Sequence, residues 1–93
     1  MNINTKTPAY TTKFKKDYES AVKQGRNMTK LTEVMDALLK DKPLSPIRHD
    51  HALRGNFKNS RECHIESDWL LIYKPSDKRI LFERTGTHTE LLE

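Results

Sequence analysis

The chain has 93 residues, of which 34% are hydrophobic and 32% are charged. A chain of this length has room for one modest core, so we expect residues 1–93 to form a single domain. Lys and Arg total 17 against 13 Asp and Glu, and the net charge of +4 favours a polyanionic partner such as nucleic acid. With only one cysteine, the chain has no internal disulfide and no thiolate metal cluster.

The sequence contains no segment with the character of a membrane span. Its longest uninterrupted apolar run is WLLIY at 69–73, which is far too short to cross a bilayer. The opening residues, MNINTKTPAY, include no apolar stretch of signal-peptide length. We therefore expect a cytoplasmic protein without a membrane partner.

Two amphipathic helices are predicted in the N-terminal half. Apolar side chains recur every three or four residues over 12–24 and again over 28–40. Gly25 suits the end of the first helix, and Asn27 suits the N-cap of the second. Because the connection between them is short, we expect the two helices to form an antiparallel hairpin. The apolar positions are Tyr10, Phe14, Tyr18 and Val22, followed by Met28, Leu31, Met35, Leu38 and Leu39.

The C-terminal half predicts three strands at 61–66, 69–74 and 79–84, separated by turn-forming residues. A short additional strand is predicted near Lys6–Ala9. Periodicity is lost over 41–59, which predicts a long loop, and such loops are often functional. The expected fold class is therefore α+β: an N-terminal helical hairpin packed on a small antiparallel sheet.

The predicted strand pairing assigns side chains to two faces of the sheet. We expect Glu66 to pair with Trp69 and Lys74 to pair with Arg79, with side chains alternating along each strand. The more apolar face should carry the helices, and the other face should be free. The expected free face holds His64, Glu66, Trp69, Leu71, Tyr73, Phe82 and Arg84. The expected helix-covered face holds Cys63, Ile65, Leu70, Ile72 and Leu81.

Five motifs in the C-terminal half resemble those of YafQ-type toxins of the RelE superfamily. They are DH-x-L-x-G at 50–55, H-x-E-x-D-W at 64–69, IYK at 72–74, DK at 77–78 and FERTGTH at 82–88. The two N-terminal helices agree with that family in pattern and length. The motif H-x-E-x-D-W followed by FERTGTH is much more specific than an isolated histidine motif.

The resemblance implies a RelE-like fold and a ribosome-dependent mRNA endonuclease, the toxin of a bacterial type II toxin–antitoxin pair. Such a toxin cuts the codon in the ribosomal A site and stops translation, without a cofactor. The implied partners are the 70S ribosome with its mRNA and a cognate DinJ-like antitoxin with a ribbon-helix-helix end. Operator DNA would be contacted only through the antitoxin.

The resemblance also implies a set of site residues. Trp69 and Leu92 are the implied substrate contacts, although YafQ-type toxins carry a Phe where this chain has Leu92. The implied catalytic residues are His51, His64, Asp68, Arg84 and His88.

These residue types suit RNA cleavage by the neighbouring 2′-hydroxyl. Histidine suits proton transfer because its unperturbed pKa of about 6.5 is near neutral pH. We expect Arg84 to bind the phosphate in the transition state, since a guanidinium matches phosphate oxygens. The histidines at 51, 64 and 88 divide the acid, base and substrate-contact roles in an order that the sequence leaves open. Asp68 either orients a histidine or moves a proton, and we favour Asp68 and His88 as the proton-transfer pair. His49 is interpreted as incidental.

Two other functional classes compete with this hypothesis. The histidines and the aspartate provide ligand types for a metal-dependent hydrolase, although without close helical ligand spacing. A non-catalytic RNA- or partner-binding module on the same fold is the other alternative. Without the resemblance, Arg84 is an ordinary solvated or salt-bridged arginine, Asp68 is a turn residue and Trp69 belongs to the core.

Overall fold

A computed structural model describes residues 5–92, except for the side chain of Leu92. In this part of the chain, three α-helices accompany a five-stranded sheet. Two short 3-10 turns, Pro46–Arg48 and Gly55–Phe57, lie between the second helix and the third strand. The elements are β1 (Thr7–Tyr10), α1 (Thr12–Lys23), α2 (Met28–Leu39), β2 (His51–Ala52), β3 (Arg61–Glu66), β4 (Trp69–Pro75), β5 (Arg79–Gly86) and α3 (His88–Leu92).

Both predicted helices of the N-terminal half are confirmed to within a residue at each end. The hydroxyl of Thr11 caps α1 by accepting a hydrogen bond from the backbone N–H of Phe14 at 2.9 Å. Gly25 follows α1 with a φ of 74°, a conformation that glycine adopts without strain. Asn27 does occupy the N-cap position of α2, but its side chain makes no capping hydrogen bond.

The five strands lie in the order β1-β5-β4-β3-β2, and the α+β fold class is confirmed. The short N-terminal strand is present as β1, which pairs with β5 in parallel. The three strands of the C-terminal half form the expected antiparallel meander, with Glu66 opposite Trp69. The predicted pairing of Lys74 with Arg79 is wrong, because β4 continues to Pro75 and Lys74 lies opposite Leu81.

The prediction of which face the helices cover is wrong for β4 and β5. A register shift between His64 and Glu66 interrupts the alternation of side chains between β3 and β4. A one-residue shift moves side chains to the opposite face of a sheet. The helices therefore cover Trp69, Leu71, Tyr73 and Phe82 together with the correctly predicted Cys63 and Ile65. On the opposite face, Leu70 and Ile72 pack with Leu53, Phe57 and Leu91.

The segment 41–59 is more ordered than predicted. It contains both 3-10 turns and β2, which pairs with β3. Leu53 and Phe57 cover the sheet face opposite the helices, so the segment contributes to the core. None of the described helices is both long and apolar enough to span a membrane.

Candidate active site

Three imidazole rings lie side by side on the sheet face opposite α1 and α2. The ring centre of His64 on β3 is 5.8 Å from that of His88 at the start of α3. It is also 5.3 Å from that of His49, which follows the first 3-10 turn. Two of the predicted catalytic histidines are therefore adjacent, and the third ring of the row is the histidine that was interpreted as incidental.

Asp68 holds His88 through two hydrogen bonds. Its Oδ1 accepts from Nδ1 of His88 at 2.7 Å and from the backbone N–H of His88 at 3.0 Å. The backbone bond, and next the ring bond, lower the pKa of Asp68 below its ordinary value of 3.8. Since a carboxylate only accepts, Nδ1 carries the proton and Nε2 is the ring nitrogen left for a substrate. This geometry suits the predicted proton-transfer pair.

The helix α3 places His88, and its start is defined by a reciprocal cap. The backbone N–H of Thr87 donates to Oε1 of Glu90 at 2.8 Å, and the N–H of Glu90 donates to Oγ1 of Thr87 at 3.2 Å. This is a capping box, and its signal T-x-x-E is present in the sequence at 87–90. Leu91 is buried against Leu70, so α3 is also tied to the sheet.

Arg84 lies under α1, where it contacts an aspartate that the sequence analysis missed. Its Nε and one terminal nitrogen donate to the two carboxylate oxygens of Asp17 at 2.8 and 3.3 Å. These hydrogen bonds are the main cause of the raised pKa of Arg84. The expectation that Arg84 lies on a free face with aromatic side chains is wrong. A second register shift, between Ile72 and Tyr73, contributes to this placement.

Trp69 is fully buried, so the expected contact between its ring and a substrate is wrong in this structure. Its indole N–H donates to Thr85 at 2.9 Å, and the guanidinium of Arg26 lies 5.2 Å above the ring. Trp69 therefore anchors the chain in the core immediately after Asp68. Leu92 ends α3, but its side chain lies outside the described part of the structure.

His51 lies beside the row of imidazoles without joining it by ring contact. Its Nδ1 bonds the backbone oxygen of His49 at 2.7 Å, and its Nε2 lies 3.5 Å from Oε1 of Glu62. Half of its side chain is exposed. The side chain of His51 therefore contacts His49 and Glu62, whereas the rings of His64 and His88 contact each other.

The described residues contain no ligand set for the metal-hydrolase alternative. Across 5–92, no three or more His, Cys, Asp and Glu side chains are grouped so that they could hold a metal ion. Cys63 is buried, and burial raises the pKa of its thiol to about 12, which makes it an unreactive core residue.

The comparisons with known proteins agree on one family. A family profile described as "Bacterial toxin of type II toxin-antitoxin system, YafQ" matches residues 6–93. The mRNA interferase toxin YafQ of Escherichia coli K12 is 43% identical over 83 residues, which cover 88% of this chain and 90% of the relative.

Solved structures give the same result. The crystal structure of YafQ from E. coli BL21(DE3) has a TM-score of 0.90 and 39% identity, covering 95% of this chain and 99% of that one. The toxin in the E. coli DinJ-YafQ toxin-antitoxin complex has a TM-score of 0.89 and 40% identity, with coverage of 96% and 99%.

Proposed function

The chain belongs to the YafQ family of bacterial type II toxins, and from this premise we propose that it is an endoribonuclease that cuts mRNA and inhibits translation. The observation that carries the proposal is the contact between Asp68 and His88 beside the ring of His64. Two imidazoles and a carboxylate at one end of a sheet form a site for proton transfer. The proposed substrate is the mRNA codon in the ribosomal A site.

In the proposed mechanism, the 2′-hydroxyl attacks the adjacent phosphorus. The new 2′-O–P bond forms as the P–O5′ bond breaks, which leaves a cyclic phosphate and a 5′-hydroxyl. One imidazole takes the proton of the 2′-hydroxyl, and another group gives a proton to the departing 5′-oxygen. The hydrogen bond that Nδ1 of His88 donates to Asp68 orients the imidazole for proton transfer. His64 and His88 are close enough to act on the two sides of one phosphate.

Arg84 is the proposed phosphate ligand. A guanidinium has five N–H donors, and the two described hydrogen bonds to Asp17 use two of them. Because Asp17 also accepts from the backbone N–H of Thr85 at 3.1 Å, the carboxylate fixes the guanidinium relative to β5. The remaining donors are those that would bind phosphate oxygens in the transition state. His51 and Leu92 are proposed substrate contacts, whereas Trp69 supports Asp68 from the core.

The proposed partners are a DinJ-like antitoxin, the ribosome and mRNA, with operator DNA reached only through the antitoxin. The named complexes of E. coli YafQ with DinJ support the antitoxin. The excess of positive charge supports contact with ribosomal and messenger RNA. We propose that the protein acts in the cytoplasm, where ribosomes and mRNA are found.

The experiment that tests the proposal is cleavage of a defined mRNA on purified ribosomes by the purified toxin. We expect cleavage within the A-site codon, and we expect it to persist when the toxin has been treated with a zinc-selective chelator. His88→Ala should lower the cleavage rate by at least about 10²-fold, the typical contribution of a positioned acid or base. Thr89→Ala changes the next, exposed residue and should cleave like the wild type. Intact mRNA with the wild-type toxin, or full activity of His88→Ala, would contradict the proposal.

A further inference from the structure

An open cleft of about 830 Å³ lies beside His64, and neither Asp68 nor His88 lines it. We call it the His49 cleft. Its volume lies in the range of ligand-binding pockets and is large enough for one nucleotide. One wall is formed by Ile47, Arg48 and His49, and the other includes His64, Glu66 and Lys30.

The His49 cleft has the chemistry of a nucleotide subsite. Lys30 and Arg48 bring two positive charges, and the single carboxylate, Glu66, is already paired with Lys30 at 2.9 Å. The excess positive charge favours a phosphate. Ile47 is 73% exposed, and its side chain offers an apolar surface against which a base could pack.

His49 is held in this cleft from both sides along the chain. The guanidinium of Arg48 donates to the backbone oxygen of Ile65 at 2.5 Å, which ties the 3-10 turn to β3 next to His64. On the other side, the carboxylate of Asp50 accepts from the hydroxyl of Tyr73 at 2.9 Å and from Nε of Arg61 at 3.1 Å. Both neighbours of His49 are therefore anchored to the sheet.

The backbone of His49 is itself unusual. Its φ is 50°, in the left-handed region that residues other than glycine rarely adopt. Such conformations persist where the surrounding structure enforces them, and they occur often at functional sites. The result of this arrangement is an exposed imidazole fixed 5.3 Å from the ring of His64.

We propose that His49 is an RNA-contacting residue, whose imidazole binds a phosphate oxygen of the nucleotide next to the scissile phosphate. The base of that nucleotide lies against Ile47 in the His49 cleft. This inference rests on the proposed endoribonuclease function, and it adds a binding residue outside the set His51, His64, Asp68, Arg84 and His88.

The test combines His49→Gly with mRNAs in which single phosphates flanking the cut carry a neutral methylphosphonate. Glycine suits the left-handed backbone, so this variant removes the imidazole without straining the turn. Asn59→Gly is the matched control, because Asn59 also has a positive φ of 74° and is exposed, but does not line the cleft. Kinetic constants are measured on programmed ribosomes, and thermal unfolding verifies that each variant is folded.

We expect the wild type and Asn59→Gly to lose roughly tenfold in kcat/KM at one methylphosphonate position, as for a lost charge-assisted contact. The kcat/KM of His49→Gly should be about tenfold lower than that of the wild type on the unmodified mRNA, mainly because KM rises. A methylphosphonate at that position should not lower it further. If the wild type cuts the mRNA, three results for His49→Gly would overturn this inference without affecting the proposed function. They are an unchanged kcat/KM, a loss confined to kcat, or a continued sensitivity of cleavage to the methylphosphonate. If the wild type cuts no ribosome-bound mRNA, the proposed function fails as well.

Discussion

At the scale of single residues, the pair Asp68 and His88 has a specific electrostatic consequence. The carboxylate is exposed, yet it accepts two hydrogen bonds from one histidine. These bonds lower the pKa of Asp68 because they favour its charged form. A carboxylate whose pKa is lower in the folded than in the unfolded state stabilises the fold above the unfolded value. It loses that contribution as the pH falls through the folded value.

Asp68→Asn should therefore have a pH-dependent effect on stability. We expect the free energy of unfolding to be lower for Asp68→Asn than for the wild type at pH 5, because the variant lacks the charged acceptor. The difference should persist down to about pH 4, near the ordinary Asp pKa, and decline at lower pH as the wild-type carboxyl is protonated. Urea unfolding of both proteins over this pH range measures the difference. A difference that already declines above pH 5 would contradict the lowered pKa.

At the scale of elements, α3 is a helix of only five residues that carries a proposed catalytic group at its first position. An isolated helix of this length has little stability of its own. The helix α3 is stabilised instead by the capping box between Thr87 and Glu90 and by the buried side chain of Leu91. The position of His88 therefore depends on the side chains of Thr87, Glu90 and Leu91.

Removing one half of this cap should loosen α3 without unfolding the sheet. We expect Glu90→Ala to destabilise the helix by about 1 kcal/mol, the usual value of a cap, and to lower the cleavage rate through misplacement of His88. Hydrogen exchange of the α3 amides should accelerate while that of β4 and β5 stays unchanged. Glu90→Gln keeps an acceptor for the N–H of Thr87 and is the control that should retain both protection and activity. Equal exchange and activity in Glu90→Ala and wild type would show that the cap does not position His88.

The approximate bounds of the three meander strands were predictable from the sequence, whereas the faces that the side chains of β4 and β5 occupy were not. Strand β3 was predicted with its observed bounds because turn-forming residues flank a β-prone run. The prediction of which face of β4 and β5 the helices cover was wrong because β-bulges insert single unpaired residues into the strands. No residue type in this chain indicates the positions of these bulges. Two site features depend on these faces: the partner of Arg84 and the burial of Trp69. The position of His49 depends instead on contacts of the 41–59 segment with β3, such as that of Arg48 with Ile65. By contrast, the capping box at 87–90 was legible in the sequence.

At the scale of the whole molecule, the sheet separates the main hydrophobic core from the row of histidines. One face carries α1 and α2 and provides most of the core. The other face has a smaller apolar cluster and holds the row of His49, His64 and His88 at its edge. Arg84 lies on the helix side, where its guanidinium extends from β5 to Asp17 on α1. A large RNA partner that reaches both the histidines and Arg84 would therefore also come close to α1.

Two lysines of α1 are placed to assist that contact. Lys13 and Lys16 precede Asp17 and Ser20 by one helical turn, so they share a helix face with them. Asp17 and Ser20 line a cavity together with Arg84. Both lysine side chains are exposed. They therefore add two exposed positive charges on the face of α1 that carries Asp17.

The double variant Lys13→Gln with Lys16→Gln should bind programmed ribosomes more weakly but cut bound mRNA at the wild-type rate. If each lysine contacts one RNA phosphate, the salt dependence of log K should become shallower by about 1.5 units, since each contact contributes roughly 0.7 to 0.9. Lys58→Gln with Lys78→Gln changes the net charge equally at exposed positions outside α1 and is the matched control. Binding titrations across a range of salt concentrations measure the slopes. If both double variants lose the same binding affinity and the same salt dependence, net charge alone attracts the toxin to the ribosome. The lysines of α1 would then make no specific contact with RNA.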